Sequence, residues 1–354
     1  MRVIDKKNQS KKKIGVGKLV NISIFLFTSL ICVFCSELIM RKFLNFSQGT
    51  SITYYVRDEI VPGVRLGKFN ATLRQRKNTG DYDVVINFNQ YGLRDTRDIS
   101  KAKKDSFLVV GDSFTFGHGI KAGKRFSDLL FLKYNKDVYN LAIPTGLNGY
   151  KSLIKYAEIL GAKSKKLILV ICMENDLLNF NDEKILNISN LDKEDKKNKI
   201  KSFLSTQKSF LMNNSALYYS FTSAIHQNNW LKNFFIKIDL INPSIKTSKF
   251  IKKDLYGSAI FIKNLTTKFD SFIVLIPSRY NWAGNQETII KYRNEHITFR
   301  KELEKRGLNV LDLRDKFEAI SNNPLVELHF AKDGHWNETA NAIAAKEIIS
   351  FILK

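Results

Sequence analysis

Hydrophobic and polar positions along the chain fall into three regimes. Residues 19–40 are almost continuously apolar, with Glu37 as the single charge near the far end. About 20 apolar residues at ~1.5 Å rise cross a hydrocarbon core of ~30 Å, so this run predicts one membrane-spanning helix. Residues 41–104 predict a linker and a small β-rich lead-in, with candidate strands at 52–56 and 84–88 and a turn at Tyr91-Gly92-Leu93-Arg94. From residue 105, short apolar runs at 107–111, 138–141, 167–172, 272–276 and 310–313 alternate with helical stretches. Strands buried on both faces belong to a parallel sheet. Their alternation with helices implies crossover connections and a doubly wound α/β domain over 105–354. In such sheets, sites form at the carboxyl ends of the strands.

Residues 181–265 break this rhythm. They are rich in Lys, Asn and Ser, with helical stretches at 200–211 and 217–226. They read as an insertion between the third and fourth strands, either a lid over the site or a passive surface decoration. Residues 337–354 predict an amphipathic helix, with Ala340, Ile343, Ala344, Ile348 and Ile352 at helical spacing.

Charge changes the picture at the N-terminus. Residues 1–18 form a basic tail with seven Lys or Arg against one Asp. A cationic flank stays in the cytoplasm, so the chain after residue 40 is expected outside. A cleaved signal peptide would have a shorter apolar run ending in small residues. Here the run ends Ser36-Glu37-Leu38-Ile39-Met40-Arg41-Lys42, without such a site, which favours an uncleaved anchor. The whole chain carries a net charge of +23. No helix-turn-helix, zinc-ligand or RNA-binding aromatic pattern accompanies it, so nucleic acid is not the expected partner. The surplus reads as a solvated basic surface or as attraction to an anionic one, such as phospholipid headgroups or an acidic glycan. Three Cys, at 32, 35 and 172, imply no disulfide framework and no metal site.

Candidate chemistry gathers at strand ends. The run ending Val110-Gly111-Asp112-Ser113 places a hydroxyl just after a buried strand, where a helix would open. Such a Ser can attack a carbonyl while backbone N–H groups hold the oxyanion. A G-D-S triplet by itself is better explained by helix capping. Near the C-terminus, Asp333-Gly334-His335 offers a base, His335, with a carboxylate close enough to orient it. His118 is the runner-up base by its nearness to Ser113. Asn175 follows the third strand and can serve as an oxyanion donor. Asp176 beside it is expected to cap a following helix. Gly146, after the second strand, offers a further N–H.

These blocks resemble the SGNH, or GDSL-type, hydrolase superfamily over about residues 105–354, on Gly111-Asp112-Ser113-Phe114-Thr115-Phe116-Gly117, residues 140–146, Glu174-Asn175-Asp176 and Asp333-Gly334-His335-Trp336-Asn337. The lead-in and Ile276-Pro277-Ser278-Arg279 look like membrane-anchored bacterial members. The resemblance implies a flavodoxin-like doubly wound sheet. It implies Ser113 as nucleophile, His335 as base, Asp333 as its orienter, and an oxyanion hole from Ser113 N–H, Gly146 N–H and the Asn175 side chain. Asp112 and Asp176 would support them, and no metal or organic cofactor is expected. The implied reaction is hydrolysis of O-acyl, chiefly O-acetyl, esters of an extracytoplasmic glycan. Transfer of the acyl group to a cell-surface polysaccharide, with a multispanning acyltransferase as partner, is the alternative. A non-catalytic glycan-binding protein is a third reading. The implied location is a bacterial plasma (inner) membrane crossed once, with the α/β domain periplasmic or at the cell surface. Three departures stand out: Asp precedes His by two residues rather than three, Thr145 stands where a Gly is frequent, and Met173 where another is common.

Overall fold

The computed structural model describes residues 16–43, 55–56, 61–178, 207–208, 210–212, 214–238, 240 and 253–354. Helix α1 (Val16–Phe43) covers the long apolar run. Its apolar side chains, among them Phe25, Leu30 and Phe34, lie exposed. A helix of this length and composition suits a membrane anchor or a signal sequence.

The lead-in contains two short antiparallel pairs. One joins β1 (Tyr55–Val56) to β2 (Leu66–Gly67); the remainder of the candidate strand at 52–56 lies outside the described residues. The other joins β3 (Thr72–Arg76) to β4 (Asp83–Asn87), the latter matching the candidate strand at 84–88. β3 escapes the sequence pattern because one of its two buried side chains, Gln75, is polar.

The α/β domain has the expected doubly wound architecture. β5 (Phe107–Val110) leads through α2 (Ser113–Phe116) and α3 (Phe126–Leu132) to β6 (Val138–Asn140), and α4 (Leu147–Ile159) leads on to β7 (Lys166–Cys172). After β7 come α5 (Ala216–Gln227), α6 (Asn229–Lys237) and α7 (Leu255–Thr266). Then follow β8 (Asp270–Ile276), α8 (Gln286–Lys305), β9 (Asn309–Asp312), α9 (Leu313–Ile320) and α10 (Glu338–Ile352). The strands are parallel, in the order β6-β5-β7-β8-β9. The order reverses between β5 and β7, so their carboxyl ends flank the crevice where such sheets bind ligands.

Alternate side chains build two cores. Leu108, Leu167, Leu169, Ile273 and Leu275 point to the layer holding α4, α7 and α8. Val109, Ile168, Val170, Val274 and Ile276 point to the layer holding α3, α9 and α10. The β3–β4 hairpin joins the first layer through Leu73, Val84 and Ile86. Of the segment set apart at 181–265, the stretch 200–211 lies largely outside the described residues, α5 covers the stretch at 217–226, and α7 is the crossover helix packed on the sheet.

Candidate active site

Ser113 sits where β5 gives way to α2. Asp112 caps that turn, its carboxylate accepting from Phe114 N at 2.9 Å. Gly111 is required by close packing: a Cβ there would meet Val170 O at 3.0 Å and the Thr115 side chain nearer still. The turn therefore lies tight against β7.

Three residues distant in sequence form one hydrogen-bonded chain. Ser113 Oγ lies 2.8 Å from His335 Nε2, and His335 Nδ1 lies 2.5 Å from Asp333 Oδ1. An ionised carboxylate accepts and does not donate, so Nδ1 carries the imidazole proton. Nε2 is then the acceptor facing the Ser113 hydroxyl. The two-residue spacing lets one oxygen serve twice, because Asp333 Oδ1 also takes the His335 backbone N–H at 3.1 Å.

The lead-in hairpin supports this turn from behind. Lys77 Nζ lies 2.8 Å from Asp333 Oδ2, and Tyr82 donates its hydroxyl to the same oxygen at 3.5 Å. Burial alone would raise the Asp333 carboxyl; hydrogen bonding to His335, the charge His335 gains when protonated, and the Lys77 ammonium outweigh it and hold the group well below the usual range. His118, the runner-up base, stacks on His335 with ring centroids 4.2 Å apart. Gly119 N donates to Gln75 Oε1 at 2.8 Å, so the Gln75 amide nitrogen faces His118 Nδ1 at 3.0 Å and donates to it. His118 Nε2 then carries the proton and gives it to Tyr82 Oη at 2.7 Å. Burial first, then the charge of His335, pushes the His118 pKa down to about 3, which keeps this ring neutral. Gly119 has φ of +73°, and a Cβ there would lie 2.6 Å from the Tyr82 ring. Gln75, Lys77 and Tyr82 contact the candidate site and are not marked by the sequence. Each lies in a polar hairpin with no motif of its own.

The segment after β7 forms the opposite wall. The Asn175 amide lies close enough to the Asp112 carboxylate to favour its charged form. Asp176 does not cap a helix among the described residues; its Oδ2 accepts from Cys172 N and from Tyr150 Oη, each at 2.6 Å. Burial, then the nearby Asp112 charge, drives the Asp176 carboxyl well above its ordinary value, and burial likewise raises Asp112. Lys253 braces the turn, donating to the carbonyls of Met173 and of Glu174, the latter at 2.5 Å.

Ser113, Asn175, Asp333 and His335 line one cavity of ≈ 320 Å³, with Lys77, Glu174, Arg279 and Lys332 at its rim. Arg279 pairs with Glu174 at 3.0 Å. Gly146, the N-cap of α4, lines a neighbouring cavity of ≈ 300 Å³ that also holds Thr145, Asn175 and Asp176. Asn175 is the wall the two cavities share. Among the described residues, His118, Asp333 and His335 bring ligand-type atoms within 4.8 Å of one another. Each ring nitrogen there already faces a hydrogen-bond partner: Gln75 and Tyr82 for His118, Asp333 and Ser113 for His335.

No protein-family model matches the chain, and no curated protein matches it. Solved structures are similar to it. A member of the lipolytic protein G-D-S-L family from Veillonella parvula matches over 69% of this chain and 96% of its own, at 10% identity and a TM-score of 0.38. A catalytic mutant of an acetylxylan esterase from Geobacillus stearothermophilus matches over 72% of this chain and 96% of its own, at 11% identity and a TM-score of 0.38. An alpha/beta hydrolase from the metagenome of Lake Arreo matches over 72% of this chain and 97% of its own, at 10% identity and a TM-score of 0.37.

Proposed function

We propose that the chain is a membrane-anchored serine ester hydrolase acting on O-acyl groups, chiefly O-acetyl, of a glycan or similar ester outside the cytoplasm. The observation that carries this reading is the continuous chain from Ser113 Oγ through His335 to Asp333, at 2.8 and 2.5 Å. Ser113 Oγ attacks the ester carbonyl carbon as its proton passes to His335 Nε2. Asp333, held charged by Lys77, stabilises the imidazolium. The tetrahedral intermediate collapses, the C–O bond to the alcohol breaks, and His335 returns its proton to the leaving oxygen. Water then attacks the acyl-enzyme, His335 takes its proton, and the acid leaves as Ser113 is regenerated.

The oxyanion is held by the Ser113 N–H and by the Asn175 amide, whose NH₂ carries two donors. Gly146 N–H would join them from the adjoining cavity. Lys77, Arg279 and Lys332 outnumber Glu174 and Asp333 around the cavity, and this cationic excess favours the developing negative charge. No cofactor takes part in this scheme. Transfer differs from hydrolysis only in the acceptor, a sugar hydroxyl replacing water at the acyl-enzyme.

Labelling with a fluorophosphonate tests the nucleophile. Wild type should label and Ser113→Ala should not; equal labelling of the two sinks the reading. Turnover of an activated acetyl ester by Ser113→Ala should fall on the order of 10⁶-fold, with Ser113→Ala/His335→Ala hardly worse, because the pair acts as a unit. Free acetate released in the presence of a glycan acceptor marks hydrolysis. Acetylated glycan with little free acetate marks transfer.

A further inference from the structure

The segment from 207 to 240 exposes apolar surface in an unusual concentration. Phe210, Leu211, Phe221, Trp230, Phe234 and Leu240 are 59%, 40%, 57%, 73%, 48% and 69% exposed. The rings of Trp230, Phe234, Phe235 and Phe221 form one chain of contacts across the α5–α6 hairpin. Trp230 stacks on Phe234 at 6.1 Å, Phe234 meets Phe235 at 5.5 Å, and Phe221 meets Phe235 at 6.2 Å. Lys208, Lys232 and Lys237 lie in the same segment.

This hairpin is fastened to α1. Glu37, the charge within the apolar run, accepts from Ser215 Oγ at 2.8 Å and from Ala216 N and Leu217 N at 2.9 Å each. Arg41 pairs with Glu37 at 2.8 Å and also reaches Asn214 O. Leu30, Ile31, Val33 and Phe34 of α1 line a groove with Asn214, Ser215 and Leu217. Seven residues of helix, from Leu30 to Glu37, span about 10 Å. The start of α5 therefore lies level with the outer third of the apolar run. Its other end reaches the neighbourhood of the candidate active site: Gln227 Nε2 donates to Asn78 O at 3.1 Å and Lys332 Nζ donates to His226 O at 3.1 Å, while from its first turn Tyr219 Oη donates to Lys77 O at 3.3 Å. Twelve helical residues span about 18 Å.

We propose that α5 and α6 lie in the membrane interface beside α1, with Trp230, Phe234, Phe221 and Phe210 at the headgroup–acyl boundary and the lysines toward anionic headgroups. Continuity with the α1 surface and the lysine complement select a lipid surface as the occupant. Amphipathic helices of this composition, basic with Trp and Phe on the apolar face, bury that face about 5–10 Å into the boundary. The hairpin then holds the mouth of the Ser113 cavity within about 20 Å of the bilayer. Its substrates would be esters presented at the membrane surface rather than in bulk solution. This inference rests on α1 spanning the membrane and not on the ester chemistry.

The full-length chain is reconstituted in vesicles of phosphatidylcholine with a minority of phosphatidylglycerol, with and without brominated acyl chains, and washed with carbonate. Tryptophan emission is then compared with that of Trp230→Phe. Trp336 is buried, and Trp282 is engaged with Glu318 at 2.8 Å. With three tryptophans in the chain, bromine should remove up to about a third of the emission in wild type and much less in Trp230→Phe. Leu240→Trp should gain quenching, whereas Ile320→Trp, exposed on α9, should not. Equal quenching of wild type and Trp230→Phe in carbonate-resistant vesicles overturns the proposal. So does crosslinking of position 230 to a second copy of the chain. Release of the protein by carbonate overturns it together with the anchor reading. Fluorophosphonate labelling of the same samples reports separately on Ser113, so failure of the interfacial hairpin and failure of the esterase reading are told apart.

Discussion

Asp333 and Asp176 are both carboxylates withdrawn from water, yet their surroundings drive them in opposite directions. Asp333 is met by donors and cations: the ring and backbone N–H of His335, and the Lys77 ammonium. It is held charged. Asp176 meets the Cys172 N–H and the Tyr150 hydroxyl, but among the described residues no cation lies within ion-pair distance, the more distant Lys253 offsets burial only in part, and Asp112 adds like charge. It is pushed toward the neutral acid. Burial penalises charge in both; what surrounds each oxygen decides the sign. The difference separates a carboxylate placed to stabilise the imidazolium of the proposed reaction from one that pins the Asn175 turn.

The largest break in this comparison is Asp333→Asn. It removes the charge behind His335 and favours the wrong tautomer, so kcat/KM toward an activated ester should fall about 10²–10⁴-fold. A loss under tenfold would give Asp333 a merely structural role. Lys77→Met leaves that carboxylate in place without its ammonium. Because the pair is partly exposed, the expected loss is about twofold to fivefold, shrinking further in high salt.

The third test is pH dependence. The folded pKa of His118, about 3, lies below its ordinary 6.5. The unfolded chain therefore binds a proton that the folded chain refuses. Stability from this group is complete above about pH 6.5 and declines as pH falls toward 3. His329, buried and lowered to about 4, adds to the same slope. Asp333, depressed, contributes a further loss only below about pH 4. Thermal melts of wild type should drop through this window, and His118→Gln should flatten the slope between pH 6.5 and 4. An unchanged slope would count against a neutral buried ring.

The smallest effect is expected from Asp176→Asn, which mimics the neutral acid. A raised carboxyl costs stability as pH climbs above its unfolded value of about 4. The variant should therefore match wild type in acid and melt slightly higher at neutral pH. A lower melting temperature at pH 7 would mean that Asp176 is charged.

Much of the architecture was legible in the chain. The apolar runs at 107–111, 167–172 and 272–276 recur as β5, β7 and β8, because a strand buried on both faces has few residue types open to it. The Asp333-Gly334-His335 turn was legible for a local reason: a carboxylate two residues before a His can reach both its ring and its backbone N–H. Ser113 was legible as a hydroxyl after a strand ending in glycine. That glycine turned out to admit the Thr115 side chain and β7 rather than merely to ease a turn.

The hairpin behind the site was not legible. Lys77 meets Asp333 across 256 residues of sequence, and no periodicity encodes such a pairing. The relay from Gln75 through His118 to Tyr82 uses residues whose types are common on any polar hairpin. Asp176 carried the look of a helix cap because capping is a local rule, whereas it closes back on Cys172 N at the end of β7 and takes the Tyr150 hydroxyl from α4, 26 residues away. Glu37 read as a lone charge near the end of an apolar run, and became the acceptor for the first turn of α5 once the chain was folded. What the sequence determined by itself was the set of elements and the residue types able to do chemistry, since burial pattern and local turns are written in neighbouring positions. What the tertiary structure decided was which charges face those residues, since the electrostatics of a site depend on distances through space.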